Sequence, residues 1–190
     1  MVSSTDLVLK VIDAFERLEI PYMLVGSYSS NYYGRPRSTH DADFVIEVSD
    51  DQITKLRAGL SPDLLMDTQM SFETVTMHMR YVIVHPQSAF KIELFLLSDD
   101  EYHRERFRRR RQVEFEGRLA WLPTAEDVVV QKVFWGQKAR RSKDIEDVQQ
   151  VLSVQRDKLD LEYIGLWCDK QGTRAFFEKL LQATKPRGTG

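Results

Sequence analysis

Two aspartates, Asp41 and Asp43, open the stretch "DADFVIEV" and run directly into apolar residues. In an extended chain, residues i and i+2 point to one face, about 7 Å apart at Cα. Asp41 and Asp43 therefore share a face, while Ala42, Phe44 and Ile46 share the other and can enter a core. Two carboxylates side by side repel, and keeping both ionised is costly unless something positive lies between them. Mg²⁺ suits such a pair, because it takes hard oxygen ligands and keeps waters and phosphates in its shell. Two such ions about 3.5–4 Å apart form the clamp used for in-line phosphoryl displacement. An architectural reading also fits the pair: Asp41 caps the strand and Asp43 pairs with Arg35 or Arg37.

Other residues bear on that choice. Gly26-Ser27 ends an earlier apolar run, "YMLV". Glycine lets backbone come close to a ligand, and exposed N–H groups with a hydroxyl suit a phosphate, although Gly-Ser also makes ordinary turns. In "FKIELFL", Phe90, Ile92, Leu94 and Leu96 form one face, and Glu93 lies on the other with Lys91. If this strand lies beside the one that carries Asp41, Glu93 completes a set of three carboxylates; otherwise Lys91 and Glu93 face water. His40 alternates away from Asp41, and Tyr28, Tyr32 and Tyr33 are expected to pack rather than to stack on bases.

Farther along, Lys132 falls among Ala125, Val128, Val129 and Gly136 on a helical wheel. A charge so placed needs a carboxylate from a neighbouring helix, a phosphate, or a path to water for its ammonium. Asp144 and Asp147 are i, i+3 neighbours beside Val148 and Val151, well placed near a helix N-terminus. "HRERFRRRR" puts six arginines in nine residues, 103–111. A block of like charge binds nucleic acid or forms a solvated face. Arg108, Arg109, Arg110 and Arg111 are its candidates for RNA contact, with "KARRSKD" as a second basic loop. Phe107 alone supports a base-stacking platform there poorly.

The elements that must position these residues follow from periodicity. Leu7, Val8, Val11, Ile12, Phe15 and Leu18 predict a helix over 5–18. "YMLVG" reads as a short buried strand, 28–33 as a helical turn, and "GRPRST" as irregular because Gly34 and Pro36 break it. "DADFVIEV" is a strand, and "SDDQITKLRAGL" a helix capped by Ser49 or Asp50. "FETVTMHM", "RYVIVH" and "AFKIELFLL" alternate with period two and predict two or three neighbouring antiparallel strands. A charged helix or turn follows over the arginine run, then a hairpin in "VEFEGRLAWLP" with Gly117 at its turn. After Pro123 come four helices, the first capped by Thr124 with Asp127. The layout is a mixed α/β unit over 1–122 followed by a small helical unit over 123–190.

Composition bounds the functional classes. The 190 residues are 42% hydrophobic and 29% charged, enough for a core and for solubility. No apolar run approaches the roughly 18 residues of a membrane-spanning helix, and the N-terminal stretch lacks a signal-peptide pattern. One cysteine, Cys168, excludes an internal disulfide framework and zinc-finger spacing. The expectation is a cytoplasmic protein with no membrane partner. The net charge of −2 hides an asymmetry: residues 1–97 carry 8 Lys/Arg against 13 Asp/Glu, and residues 98–190 carry 19 against 16. An acidic half can hold metal ions, and a basic half can hold phosphates.

"LVGSYSSNYYGRPRSTHDADFVIEV" resembles the nucleotidyltransferase signature: Gly-Ser, a short helix, Asp-x-Asp on a strand and a later carboxylate on a further strand. Its Arg37-Ser-Thr39-His-Asp41-Ala-Asp43 form is most similar to the AbiEii-type nucleotidyltransferases of toxin–antitoxin and phage-defence systems, to which the MenA toxins belong. "PTAEDVVVQKVFWGQKARRSKDIEDVQQVL" resembles that family's helical region, and the likeness spans roughly residues 20–155. The resemblance implies a mixed twisted sheet flanked by helices, the polymerase-β-like fold, with a C-terminal helical unit. It also implies a metal-dependent enzyme that moves a nucleoside monophosphate from an NTP to a hydroxyl. By position, Asp41, Asp43 and Glu93 would be catalytic and would bind two Mg²⁺ ions. Gly26, Ser27, Arg37, Thr39, Lys132 and Asp144 would serve nucleotide binding. Glu93 departs from the family's usual Asp by one methylene. The implied acceptor is RNA, above all a tRNA 3′ end, with an antitoxin as a partner. The alternatives are transfer to a small-molecule or protein hydroxyl, or a catalytically silent nucleotide-binding module.

Overall fold

The computed structural model describes residues 2–74 and 78–184. In chain order the elements are α1 (Ser4–Arg17), β1 (Tyr22–Val25), α2 (Gly26–Tyr33), β2 (Asp41–Ile46), α3 (Asp50–Gly59), β3 (Leu65–Met66), β4 (Ser71–Glu73), β5 (His78–Val84), β6 (Lys91–Leu96), α4 (Glu101–Arg108), β7 (Arg111–Phe115) and β8 (Arg118–Leu122). Four helices follow: α5 (Ala125–Lys138), α6 (Ser142–Gln155), α7 (Leu161–Lys170) and α8 (Arg174–Ala183). The expected strand "FETVTMHM" is seen as β4 and the start of β5; residues 75–77 lie outside the described residues.

The main sheet runs β1-β2-β6-β5-β3, and β4 also pairs with β5. It is mixed, because β2 and β6 are parallel while the other pairs are antiparallel. Strand alternation sends Tyr22, Leu24, Ala42, Phe44, Ile46, Ile92 and Leu94 into one core, against Leu7, Val11 and Phe15 of α1 and Ile53 and Leu56 of α3. α3 starts with a capping box: Ser49 Oγ accepts from the Gln52 N–H, and Gln52 Oε1 accepts from the Ser49 N–H. On the sheet's other face, Met23, Val25, Val45 and Phe107 of α4 form a smaller cluster. The β7–β8 hairpin turns through Glu116 and Gly117, both at positive φ (50° and 76°), the backbone that a two-residue hairpin loop of this kind requires.

The chain divides into two compact units. The first comprises residues up to Tyr28 together with Ser38–Pro123, and the second Ser29–Arg37 together with the chain from Thr124 onward. The second unit is helical, with Val129, Val133, Val148, Val151, Ile164, Cys168 and Phe177 buried. Within it, Gln155 Nε2 donates to the Tyr33 carbonyl at 2.7 Å, which ties the 29–37 segment to α6. Asn31 closes the irregular "GRPRST" stretch, since its amide donates to the Arg37 carbonyl and accepts from the Arg37 N–H. Among the described residues no helix is long and apolar enough to cross a membrane.

Candidate active site

In the first unit, β2 turns Ala42, Phe44 and Ile46 into the core and leaves Asp41 and Asp43 half-buried on the opposite face. β6 lies parallel and in register, with Lys91 opposite Asp41 and Glu93 opposite Asp43. In-register neighbours put their side chains on one face, so all three carboxylates stand on the same surface of two adjacent strands. Thr39 Oγ1 donates to Asp41 Oδ1 at 2.8 Å and so orients that carboxylate. Gly26 is at φ +63°, and a Cβ there would run into the Asp43 carboxylate. Only glycine lets the start of α2 come this close to Asp43, and Ser27, the next residue of the helix, is buried.

Glu93 is held by Arg80 of β5, whose Nη1 donates to Glu93 Oε2 at 2.6 Å. Burial pushes the Glu93 carboxyl above its ordinary range; Arg80 opposes that shift, and the charge of Asp41 adds to it. Among the described residues no three Asp, Glu, His or Cys side chains gather closely enough to hold a metal ion. Asp41 and Asp43 still fit a divalent cation: they are hard oxygen donors, adjacent on one face and partly open to solvent. Glu93 has the right face and register, but its carboxylate is turned to an internal cation.

In the second unit, Lys132 of α5 is buried and reaches two carboxylates of α6. Its Nζ stands 2.7 Å from Asp144 Oδ1 and 2.9 Å from Asp147 Oδ2. The Arg37 fork donates through Nε and Nη2 to the two oxygens of Asp147 at 2.9 and 3.0 Å. Arg141 Nε lies 3.1 Å from Asp144 Oδ2. Burial alone would raise the Asp147 carboxyl, but Arg37 and Lys132 outweigh it and hold that group below the ordinary aspartate range. Of the partners that the sequence allowed for Lys132, the structure shows the carboxylate of a neighbouring helix. Asp147 takes both cations, a role its helix-terminal position did not reveal.

The arginine run is largely engaged with neighbours. Arg104 pairs with Glu47 and Asp99, and Arg108 with Glu105 at 2.8 Å. Arg106 is buried, and Arg110 stacks over Phe107 and Trp121 with 4.1 and 4.9 Å to the ring centres. Arg108 and Arg111 are exposed. Tyr28 packs edge-on against Phe90 and Phe115.

No protein-family model matches the chain, and no curated protein does. Solved structures do match. The chain is similar to ANT(2'')-Ia in its complex with adenylyl-2''-tobramycin, at TM-score 0.60 and 12% identity, over 94% of this chain and 98% of that one. It is also similar to an antigenic nucleotidyltransferase-like protein from Paracoccidioides brasiliensis, at TM-score 0.54 and 17% identity, over 96% and 94%. The chain has the nucleotidyltransferase fold. In this fold Gly26, Ser27, Thr39, Asp41, Asp43 and Glu93 cluster at one end of β1, β2 and β6, whereas Arg37, Lys132 and Asp144 belong to the helical unit's ion network. Sequence reasoning passed over Arg80. Its period-two position in "RYVIVH" allows the carboxylate face, but only the β5–β6 register, with Arg80 opposite Phe95 and Val82 opposite Glu93, brings its guanidinium diagonally to Glu93.

Proposed function

We propose that the protein is a nucleotidyltransferase that moves a nucleoside monophosphate from an NTP to a hydroxyl acceptor and releases pyrophosphate. The observation that carries this reading is the carboxylate face: Asp41 and Asp43 on β2, Glu93 in register on β6, and Gly26 against Asp43. Asp41, oriented by Thr39, and Asp43 would hold divalent cations, with Glu93 as the third ligand. Bound there, Mg²⁺ would neutralise phosphate charge and favour the acceptor alkoxide. The N–H groups that open α2 and the Ser27 hydroxyl would receive phosphate oxygens. Glu93, in register with Asp43 on the same face, would stand where it can take the proton from the acceptor hydroxyl. That oxygen then attacks the α-phosphorus as the bond to the bridging oxygen of pyrophosphate breaks.

The acceptor we propose is RNA, with a tRNA 3′ end first, and a role as the toxin of a toxin–antitoxin pair. This rests on the family resemblance and on a second half that is basic, with Arg108 and Arg111 exposed. A second reading, transfer to a small-molecule hydroxyl, is favoured by the likeness to ANT(2'')-Ia, solved with an adenylylated aminoglycoside. One experiment separates them: each α-labelled NTP with Mg²⁺ and either total RNA or an aminoglycoside panel. Label in the tRNA fraction supports the first reading and label on an aminoglycoside the second. Label in neither, with protein acceptors also blank, would falsify transfer.

A further inference from the structure

The carboxylate face already carries a cation of its own. Arg80 and Glu93 are mostly buried, with side chains 25% and 15% exposed. The pairing uses one arm of the guanidinium: Nη1 donates to Glu93, while Nε is buried and makes no hydrogen bond among the described residues. Arg37 shows the alternative in the same molecule, with Nε and Nη2 both satisfied by Asp147. A two-armed pair of that kind is the strong form of the arginine–carboxylate interaction. Arg80 is therefore attached to Glu93 by the weaker, single-armed form, at the position in register with Asp43.

That arrangement has a use. With no metal bound, three carboxylates on one face repel, and a guanidinium relieves the repulsion. Glu93 Oε2 is engaged by Arg80, so that oxygen can join a divalent cation at Asp41 and Asp43 only by leaving the guanidinium. We propose that Arg80 is a positioning residue, a resident counter-ion that holds Glu93 off the metal site until a divalent cation displaces it. This rests on the nucleotidyltransferase reading of the same face. The exchange forms and breaks no covalent bond; one ion pair is traded for another. Arg80 thus lowers metal affinity while keeping the metal-free face intact.

The test is Mn²⁺ binding to the full chain without nucleotide, read from the electron paramagnetic resonance of free Mn²⁺. Arg80→Gln should bind Mn²⁺ about fivefold tighter than wild type, the factor that a partly exposed ion pair controls. Arg80→Lys, which keeps the charge, should stay near wild type. Adding Glu93→Gln to Arg80→Gln should erase the gain, an effect that a merely structural role for Arg80 would not produce. Arg80→Met keeps the aliphatic stem against the sheet and decides the matter if Arg80→Gln does not fold. Asp43→Asn is the reference. If it abolishes Mn²⁺ binding while Arg80→Gln and Arg80→Met bind no tighter than wild type, the role of Arg80 is overturned and the active-site reading stands. If Asp43→Asn binds Mn²⁺ as wild type does, both fall together.

Discussion

Asp41 and Asp43 differ in what holds them but share the charge that each substitution removes. Asp41 is oriented by the Thr39 hydroxyl, and Asp43 is pressed against Gly26. Asp41→Asn and Asp43→Asn keep shape and remove charge, so each should lower transfer by far more than tenfold, or about 1.4 kcal/mol in the barrier. Far-ultraviolet circular dichroism should stay unchanged, because relieving carboxylate repulsion does not harm the metal-free fold. Activity within tenfold of wild type in either variant would sink the metal-binding role. Lys132 presents a different case. Its ammonium is already met by Asp144 and Asp147, so it is not a bare cation waiting for a phosphate. Lys132→Met leaves two buried carboxylates with one cation fewer, a loss on the order of 3 kcal/mol in stability. Thermal unfolding measures that loss, and NTP titration on the folded variant tests the nucleotide role that the family resemblance implies.

Among the elements, α2 shows best how local geometry and chemistry combine. It begins at a positive-φ glycine immediately after β1, with Asp43 where a side chain would go. Gly26→Ala should cost about 1–3 kcal/mol from backbone strain, and more from the collision. It should also displace Asp43, so that transfer falls even at temperatures where the variant is folded; an active variant with normal stability would refute the close approach. α4 leads to a second expectation. Arg110 lies over Phe107 and Trp121, so Arg110→Gln should lower stability by about 1 kcal/mol and, if the acceptor is the RNA proposed above, leave the salt dependence of its binding unchanged. Arg111→Gln should do the reverse, reducing the salt slope by about one. Much of this was legible beforehand. The period-two runs and the caps at Ser49 and Thr124 place the strands and helices, and alternation alone puts Asp41 opposite Ala42. Strand order was not legible, because periodicity is blind to which strand sits beside which. The pairing of Glu93 with Arg80, and of Arg37 with Asp147 110 positions away, therefore had to come from the structure. The two-residue strand β3 carries too few residues for any period to show.

At the scale of the whole molecule, the helical unit draws on a piece of chain from the first third of the sequence, and this yields an acid signature and a test by dissection. Asp147 is held below the ordinary aspartate value of 3.8 by Arg37 and Lys132. A group with a depressed folded-state value contributes stability that is present above its unfolded value and lost as pH falls through the folded one. The helical unit should therefore weaken below about pH 4, and Asp147→Asn should remove that part of the pH dependence while lowering stability at neutral pH. The dissection is sharper. The segment Ser29–Arg37 is held by Gln155 at Tyr33 and by Asp147 at Arg37, both beyond Pro123. A fragment that ends at Pro123 retains the sheet but loses both anchors, so this segment should open. Trypsin reports the opening, since the Arg37–Ser38 bond is a substrate whereas the Arg35–Pro36 bond resists. Cleavage after Arg37 should be about tenfold or more faster in the fragment than in the full chain, the factor that roughly 1.4 kcal/mol of local stability controls. In the full chain, Arg37→Gln removes that cleavage site, so Asp147→Asn is the variant that loosens the anchor and keeps the site, and it should fall between the two. Equal rates in the fragment and the full chain would mean that Gln155 and Asp147 do not hold the segment.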